Sequence, residues 1–238
     1  MTQATTTPVV PKSLSIPPNA SVFQRQRITL HALSVLKDDP GNPYYAPLLH
    51  ASLDTGTYAR LARQLRETVA GRRMLDEQPT MLTDIDLDAL AKLPEGTLGH
   101  EFAHYFRKNG IEPFSFDFPL RSDADFLNKR YRETHDIHHL LTGYGTDPTG
   151  EIELQAFYVG NLRLIHAALI MALSIPHQLT QTGLDVRRIR GYVRRMRAAY
   201  VRGKHSRELL SVKFEELWSQ PVSKLSAMIR APVYSAEA

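Results

Sequence analysis

The sequence has 238 residues, long enough to bury a core without disulfides or other covalent staples. It contains no cysteine, which excludes a disulfide framework, a thiolate zinc site and cysteine catalysis, so any metal must be held by His, Asp and Glu. The net charge of +4 is uneven: residues 181–238 hold 12 Lys/Arg against 5 Asp/Glu, which predicts an anionic partner for that end.

Residues 1–24 are predicted to be a disordered tail rich in Pro and Thr. The first 20 residues lack the apolar core of a secretory signal, and Lys12 is their single basic residue. The most apolar run of the chain, residues 162–175, is shorter than the roughly 20 residues of a membrane span and carries Arg163 and His166. The sequence therefore predicts a bacterial-type cytoplasmic protein without a membrane span.

Helical periodicity dominates the rest of the chain and predicts an all-α fold of about nine helices. Alternating β patterns and Asn-Gly or Asp-Gly turns are absent from the sequence. The chain also has no internal repeat and no long linker after residue 24, which predicts one irregular helical domain over residues 25–230 and a C-terminal tail over residues 231–238. The clearest predicted helices lie near residues 25–37, 56–70, 84–93, 97–109, 122–142, 149–174, 184–202 and 206–218.

The segment HEFAH fits the H-E-x-x-H pattern of zinc metalloproteases. His100 and His104 would lie one helical turn apart, but a third ligand is missing. Where metzincins continue with Gly and then His, this chain carries Arg107 and Gly110. The two histidines lie opposite the apolar face of the predicted helix. The segment is therefore interpreted as a solvated polar face.

A second histidine cluster, THDIHH, offers more ligands. At 100° per residue His135, Asp136 and His139 lie on one helical stripe, whereas His138 falls outside it. The glycines that follow predict the helix end, and Glu151 lies in the first turn of the next helix. A short hairpin then folds Glu151 over the stripe and completes a ligand set for Zn²⁺ that equally suits Fe²⁺ or Mn²⁺. A solvated charged face is the alternative.

Residues 186–207 contain nine Lys/Arg and no acidic residue. On a helix they form a basic stripe beside an apolar stripe, a pattern typical of binding to anionic lipid. The basic stripe consists of Arg187, Arg190, Arg194 and Arg197. Two alternatives stay open. Either the helix packs in the core and its arginines pair with the acidic N-terminal part, or it binds nucleic acid, which the lack of interleaved aromatic residues disfavours.

The segment from His135 to Glu151 resembles the coenzyme Q biosynthesis protein four family, the small α-helical proteins of ubiquinone synthesis. Its hallmark is H-D-x-x-H, eleven residues and then E, which here is His135, Asp136, His139 and Glu151. The resemblance covers roughly residues 25–230. Further similar segments are RYRETHD, LLTG, GEIELQAF, GRRMLDEQP, LPEGTLGHEFAHYFRKNG and ELLSVKFEELWSQP.

The resemblance implies a zinc-dependent lyase, a decarboxylase acting at C1 on a polyprenylated 4-hydroxybenzoate of the 4-hydroxy-3-methoxy-5-polyprenylbenzoate type. It also implies that the protein organises other enzymes of ubiquinone synthesis and that HEFAH has no metal role. The apolar segment Leu154–Ile175 would line a groove for the isoprenoid tail, with an ordinary buried helix as the alternative. A non-catalytic polyprenyl-lipid-binding scaffold that uses the same pocket is the alternative function.

The expected location is peripheral, on the inner face of a bacterial membrane or, in a eukaryote, on the matrix side of the mitochondrial inner membrane. The expected partners are the polyprenylated quinone precursor, other ubiquinone-biosynthesis enzymes, an anionic membrane surface and a second copy of the chain. Nucleic acid is disfavoured as a partner.

Overall fold

A computed structural model describes residue 16 and residues 20–38, 45–54, 56–81, 85–110, 120–182 and 185–230. These residues form twelve α-helices and one 3-10 helix without a β-strand, which confirms the all-α prediction. The helices are α1 (Val22–Asp38), α2 (Tyr45–Leu53), α3 (Thr57–Arg66), α4 (Val69–Glu77), α5 (Leu87–Leu90), α6 (Leu98–Asn109), α7 (Asp123–Glu133), α8 (His135–Thr142), α9 (Pro148–Asn161), α10 (Ile165–Thr182), α11 (Val186–Lys204) and α12 (Val222–Arg230), with the 3-10 helix at Phe214–Glu216. In this described part of the chain, no helix has both the length and the apolar character needed to cross a bilayer.

The chain divides into two compact units, Met1–Asp54 and Thr55–Ala238. In the first unit α1 packs against α2, and the hydroxyl oxygens of Thr29 and Ser52 lie 2.8 Å apart between the two helices. Helix α1 begins at Val22, inside the predicted tail. The rest of that tail, apart from residue 16 and residues 20–21, lies outside the described residues, as does the predicted C-terminal tail. The single-domain boundaries stay a prediction.

The core of the second unit joins helices α3, α6, α7, α8 and α9. Their apolar stripes bury large side chains almost completely, which is the amphipathic pattern that predicted most of these helices. Complete burial of one such side chain contributes about 1.5–3 kcal/mol, so this cluster stabilises the part of the fold that carries the α8–α9 hairpin. Examples are Tyr58, Phe102, Phe126, Tyr131 and Phe157.

Two predicted helices are each divided in the structure. Residues 122–142 form α7 and α8, which separate at Thr134, where the side-chain hydroxyl donates to the carbonyl oxygen of Arg130 at 2.8 Å. Such a bond to the preceding turn favours a bend. Residues 149–174 form α9 and α10, separated near Arg163, which adopts a left-handed conformation with φ of 53°. Helix α10 consequently turns back and packs against α9.

The prediction of a helix over residues 206–218 is wrong. This segment consists of turns and the 3-10 helix Phe214–Glu216. The Glu208 carboxylate accepts hydrogen bonds from the backbone N–H groups of Leu210 and Ser211, at 2.5 and 3.0 Å. These local bonds compete with the backbone bonds of a helix. The periodicity of apolar residues does not reveal this competition.

Candidate metal centre

The α8–α9 hairpin carries the predicted ligands. His135 and His139 lie one turn apart on α8, and Glu151 lies in the first turn of α9. Gly143 ends α8 in a left-handed conformation with φ of 73°, and the Asp147 side chain starts α9 by accepting from two backbone N–H groups. These local signals make the hairpin short, so Glu151 folds back over the two histidines.

Three of the four predicted ligands converge at the hairpin. One ligand atom from each of His135, His139 and Glu151 lies within 4.8 Å of the other two. The Nε2 of His139 is 3.2 Å from Oε1 of Glu151, and the Nε2 of His135 is 3.7 Å from Oε2 of the same carboxylate. Within the described residues no second group of His, Asp and Glu converges in this way. Two imidazoles and a carboxylate are ligands that suit Zn²⁺, Fe²⁺ or Mn²⁺.

Asp136, the fourth predicted ligand, lies beside His135 in the first turn of α8. Its Oδ1 is 3.7 Å from Nδ1 of His135 and accepts a hydrogen bond of 3.3 Å from the hydroxyl of Tyr105. Tyr105 comes from α6, and its ring stacks on the ring of His139 with centroids 6.4 Å apart. The sequence pattern missed Tyr105 as a site residue, because its place on the apolar face of α6 does not show which helix that face meets.

The ring of His139 is fixed by its neighbours. Its side chain is 2% exposed, and its Nδ1 lies 3.0 Å from the backbone carbonyl oxygen of Tyr144. Because a carbonyl only accepts, Nδ1 carries the proton, and in the neutral ring Nε2 keeps an electron pair that faces Glu151. Metal-binding histidines are commonly held in this way. The solvated-face interpretation is therefore wrong for His139.

Burial and neighbouring charges oppose each other at this site. Burial lowers the pKa of His135, but the interaction of its Nδ1–H with the Asp136 carboxylate and the charges of Glu151 and Asp136 raise it above its usual value. Burial raises the pKa of Glu151, but a hydrogen bond from the doubly protonated form of His139 and the charges of both histidines bring it below its usual value. The hairpin thus favours a positive charge between imidazole and carboxylate, supplied either by a proton or by a metal ion.

Buried aromatic rings lie against the histidines. Tyr131 and Tyr158 are wholly buried, and their ring centroids are 6.2 and 6.1 Å from that of His135. His138, which falls outside the ligand stripe, is also buried, and its Nδ1 is 2.8 Å from the hydroxyl oxygen of Tyr158. Burial lowers the pKa of His138 well below its usual value, so this ring is neutral at pH 7 and acts as a core residue.

The site lies within a region that matches a known family. The model of the family described as coenzyme Q (ubiquinone) biosynthesis protein Coq4 matches residues 24–232. The chain belongs to the Coq4 family. The resemblance inferred from the H-D-x-x-H motif is thereby confirmed.

Individual members of the Coq4 family show the same relationship. The protein named ubiquinone biosynthesis protein COQ4, mitochondrial, from Eremothecium gossypii is 35% identical over 186 residues, which cover 72% of this chain and 54% of that protein. The COQ4 homolog from Rattus norvegicus is 29% identical over 192 residues, covering 77% and 70% of the two chains. The chain thus spans about half the length of the Eremothecium gossypii protein. A solved structure from Nostoc punctiforme shares the fold, with a TM-score of 0.70 at 24% identity over 89% of this chain and 97% of that one.

In this Coq4 chain the HEFAH segment belongs to α6, and two of its polar side chains bond to backbone groups of the residues just before the helix. The Nδ1 of His100 lies 3.0 Å from the carbonyl oxygen of Leu93. The carboxylate of Glu101 accepts a hydrogen bond of 3.0 Å from the backbone N–H of Gly96, next to the helix start. His104 is exposed, as predicted for a polar face, whereas His100 is partly buried. Neither histidine belongs to the converging group at the hairpin.

The basic stripe of the Coq4 chain lies on α11, where all four of its arginines are exposed. None of the four forms an ion pair with a carboxylate in the described part of the chain. Their neighbours Arg188 and Arg195 do form pairs, with Asp185 at 3.8 Å and with Glu153 at 3.4 Å. The alternative in which the arginines of this helix pair with the acidic N-terminal part, residues 1–180, therefore applies to Arg195 and not to the predicted stripe. Arg188 pairs with Asp185 at the start of its own helix.

Proposed function

We propose that the chain acts in ubiquinone biosynthesis, where it removes the ring carboxylate of a polyprenylated 4-hydroxybenzoate with the help of a divalent metal ion. The substrate would be of the 4-hydroxy-3-methoxy-5-polyprenylbenzoate type. One observation carries the proposal: His135, His139 and Glu151 converge in a chain of a family that is described as ubiquinone biosynthesis proteins. Its curated relatives carry the same description.

The donor set fits Zn²⁺, with Fe²⁺ and Mn²⁺ as the alternatives. His135 and His139 offer nitrogen, and Glu151 offers oxygen from the neighbouring helix. Asp136, at 3.7 Å from the His135 ring, is the proposed fourth ligand. The fit is supported by His139, whose Nε2 is buried and faces the carboxylate while its Nδ1 is held by a carbonyl group. With three protein ligands the fourth position of Zn²⁺ would be open to a substrate oxygen, whereas with Asp136 bound the ion would have to become five-coordinate to accept one.

Removal of the carboxylate breaks the bond between the ring carbon and the carboxyl carbon and releases CO₂, and the electron pair left on the ring takes up a proton from a nearby acid or from water. A divalent ion bound at the hairpin would supply Lewis-acid polarisation of the substrate's phenol or carboxylate oxygens. The buried rings of Tyr131 and Tyr158 exclude water from the side of His135 that they cover. Burial and the nearby Asp136 raise the pKa of Tyr105, so at pH 7 its hydroxyl stays protonated and keeps holding the Asp136 carboxylate by a hydrogen bond.

Exposed apolar side chains on α10 support a place for the polyprenyl tail. Ile165, Leu169 and Ile175 are all exposed on this helix. The first part of the predicted groove, by contrast, is core, since Leu154 and Phe157 of α9 are wholly buried. The proposed tail-binding surface is therefore confined to α10.

In cells that lack the protein, we expect a polyprenylated 4-hydroxybenzoate that still bears its carboxylate to accumulate. The wild-type chain should restore ubiquinone, whereas Glu151→Ala and Asp136→Ala should not, because each removes a carboxylate from the proposed centre. Mass spectrometry of extracted quinones and precursors measures both effects, and immunoblotting checks that the variants are present at the wild-type level.

The matched control for this experiment is Glu95→Ala, which removes an exposed carboxylate outside the hairpin and should restore ubiquinone fully. Full restoration by Glu151→Ala and Asp136→Ala would exclude a catalytic metal centre. In that case the alternative function stands, a non-catalytic scaffold that binds the polyprenyl lipid and organises other ubiquinone-biosynthesis enzymes.

We further propose that α11 docks on an anionic membrane surface. Its four stripe arginines are exposed, and Val186 and Val193 are exposed beside them, which is the composition of an interfacial amphipathic helix. The membrane would be the inner face of a bacterial membrane or the matrix side of the mitochondrial inner membrane, where other enzymes of the pathway and a second copy of the chain are the proposed partners. The relatives named above are described as mitochondrial.

Binding to vesicles that contain anionic lipid should fall when the four stripe arginines are changed together to Gln. Each basic residue near such a surface contributes about 1 kcal/mol, so flotation of the quadruple variant should drop strongly, and wild-type flotation should weaken as salt is added. The control removes four other exposed cations, Arg72, Lys92, Lys108 and Lys224, by the same change. Equal flotation of the stripe variant and the wild type would contradict the proposed surface.

A further inference from the structure

The side chain of Arg202 extends from α11 to the loop that joins the two ligand-bearing helices. Its Nη1 donates a hydrogen bond of 2.6 Å to the carbonyl oxygen of Thr142, the last residue of α8. Its guanidinium carbon lies 5.2 Å from the centroid of the Tyr144 ring, a cation–π distance. Arg202 is only partly exposed, and the Tyr144 ring packs against apolar side chains of the core. One side chain therefore holds both ends of the turn that leaves α8.

The same turn orients a proposed metal ligand. The backbone carbonyl of Tyr144 accepts the hydrogen bond from Nδ1 of His139, and the backbone N–H of Gly143 donates to the carbonyl of His139 at 2.8 Å. A displacement of Tyr144 would rotate its carbonyl away from the imidazole. The Nε2 of His139 would then no longer be aimed at Glu151, at the distance of 3.2 Å that the hairpin provides.

The backbone of Arg202 has a fixed position along α9, the helix that carries Glu151. Helices α9 and α11 cross with their backbones in contact, because Gly160 and Gly203 face the crossing. A Cβ added to Gly203 would lie 2.1 Å from the carbonyl oxygen of Phe157, and one added to Gly160 would lie equally close to that of Tyr200. Neither glycine can accept a side chain without movement of a helix. The crossing therefore determines the position of the Arg202 backbone, from which its side chain reaches the loop.

We propose that Arg202 is a positioning residue of the metal centre. It fixes the loop between α8 and α9 against the α9–α11 pair, and through the Tyr144 carbonyl it sets the orientation of His139. This inference rests on the proposed metal site and adds a residue from a third helix that contacts none of the four proposed ligands. A residue that only capped α8 would affect stability, whereas a positioning residue also changes the affinity and the geometry of the bound metal.

The test compares Zn²⁺ and Co²⁺ binding by the full chain and by Arg202→Gln. We expect Arg202→Gln to weaken Zn²⁺ binding by about 10–100-fold, which is the usual cost of losing a group that orients a ligand. The visible absorption bands of the Co²⁺ form should also change in position or intensity. Arg202→Lys, which keeps one donor and the charge, should recover part of the affinity. Arg188→Gln on the exposed side of α11 is the matched control and should bind as the wild type does.

A thermodynamic cycle separates positioning from general loosening. Tyr144→Ala removes the ring under Arg202 but keeps the backbone carbonyl, so the double variant should lose less affinity than the product of the two single losses. Zn²⁺ affinity within twofold of wild type and an unaltered Co²⁺ spectrum in Arg202→Gln and Arg202→Lys would overturn the inference. Failure of the wild-type chain to bind Zn²⁺ or Co²⁺ would instead overturn the proposed metal site, and with it this role of Arg202.

Discussion

Replacement of His139 by alanine is expected to remove the divalent ion, which the purified wild-type protein should hold at about one per chain. His139 supplies the most buried nitrogen of the centre, at 3.2 Å from Glu151. Losing a group that merely orients a ligand costs about 10–100-fold in affinity, so loss of the ligand itself should cost more than about 100-fold. Elemental analysis measures the content, and added Zn²⁺ should raise the melting temperature of the wild type but not of the variant.

The controls for this prediction are one histidine from each of the two segments that match a metal-binding pattern, HDIHH on α8 and HEFAH on α6. His135→Ala should behave like His139→Ala, because it removes the second imidazole next to Glu151. His100→Ala should keep the metal, because the His100 ring bonds to the backbone of Leu93 and lies outside the converging group. Loss of metal from His100→Ala together with its retention by His135→Ala would refute the ligand assignment.

The hairpin that forms the candidate site was predictable because its signals are local. A glycine that ends α8 and an aspartate that starts α9 determine a short loop, and helical spacing then brings His135, His139 and Glu151 together. The groups that hold these ligands were not predictable in the same way. Tyr105 reaches the site from α6 and Arg202 reaches its loop from α11, so their roles depend on how helices far apart in the sequence pack.

The predicted helix over residues 206–218 is wrong because side chains bond to the backbone groups that a helix would use. Residues 206–218 have the periodicity of a helix, which reports the side chains that face the core. In the structure Arg130 instead donates to the carbonyl oxygens of Leu210 and Val212, which a helix would use for its own bonds. The division of residues 122–142 at Thr134 has a different cause, because there the backbone bond from Thr134 to the carbonyl of Arg130 is kept and the Thr134 hydroxyl donates to the same carbonyl. Apolar periodicity contains no information about such partners.

Arg130 is the residue that joins this C-terminal segment to α7. Its side chain is wholly buried, and its Nε donates to the carbonyl oxygen of Leu210 at 3.1 Å. Its two terminal nitrogens pair with both carboxylate oxygens of Glu215, at 2.7 and 2.9 Å. The planar guanidinium fork matches a carboxylate in this bidentate geometry, which an ammonium group does not reproduce. The backbone carbonyl of Arg130 also accepts the hydrogen bond from the hydroxyl of Thr134, the residue directly before His135, so Arg130 supports the start of α8 as well.

Arg130→Met is therefore expected to lower the free energy of unfolding by about 3–5 kcal/mol, since it leaves the Glu215 carboxylate without its partner and buried carbonyl groups without donors. Urea denaturation followed by circular dichroism measures the change. Arg130→Lys should fall between this variant and the wild type, because it keeps the charge but loses the fork. The matched control is Arg73→Met, whose exposed pairs with Glu77 and Glu216 contribute about 0–1 kcal/mol. Equal destabilisation by the two methionine variants would show that the buried pair does not hold the C-terminal segment.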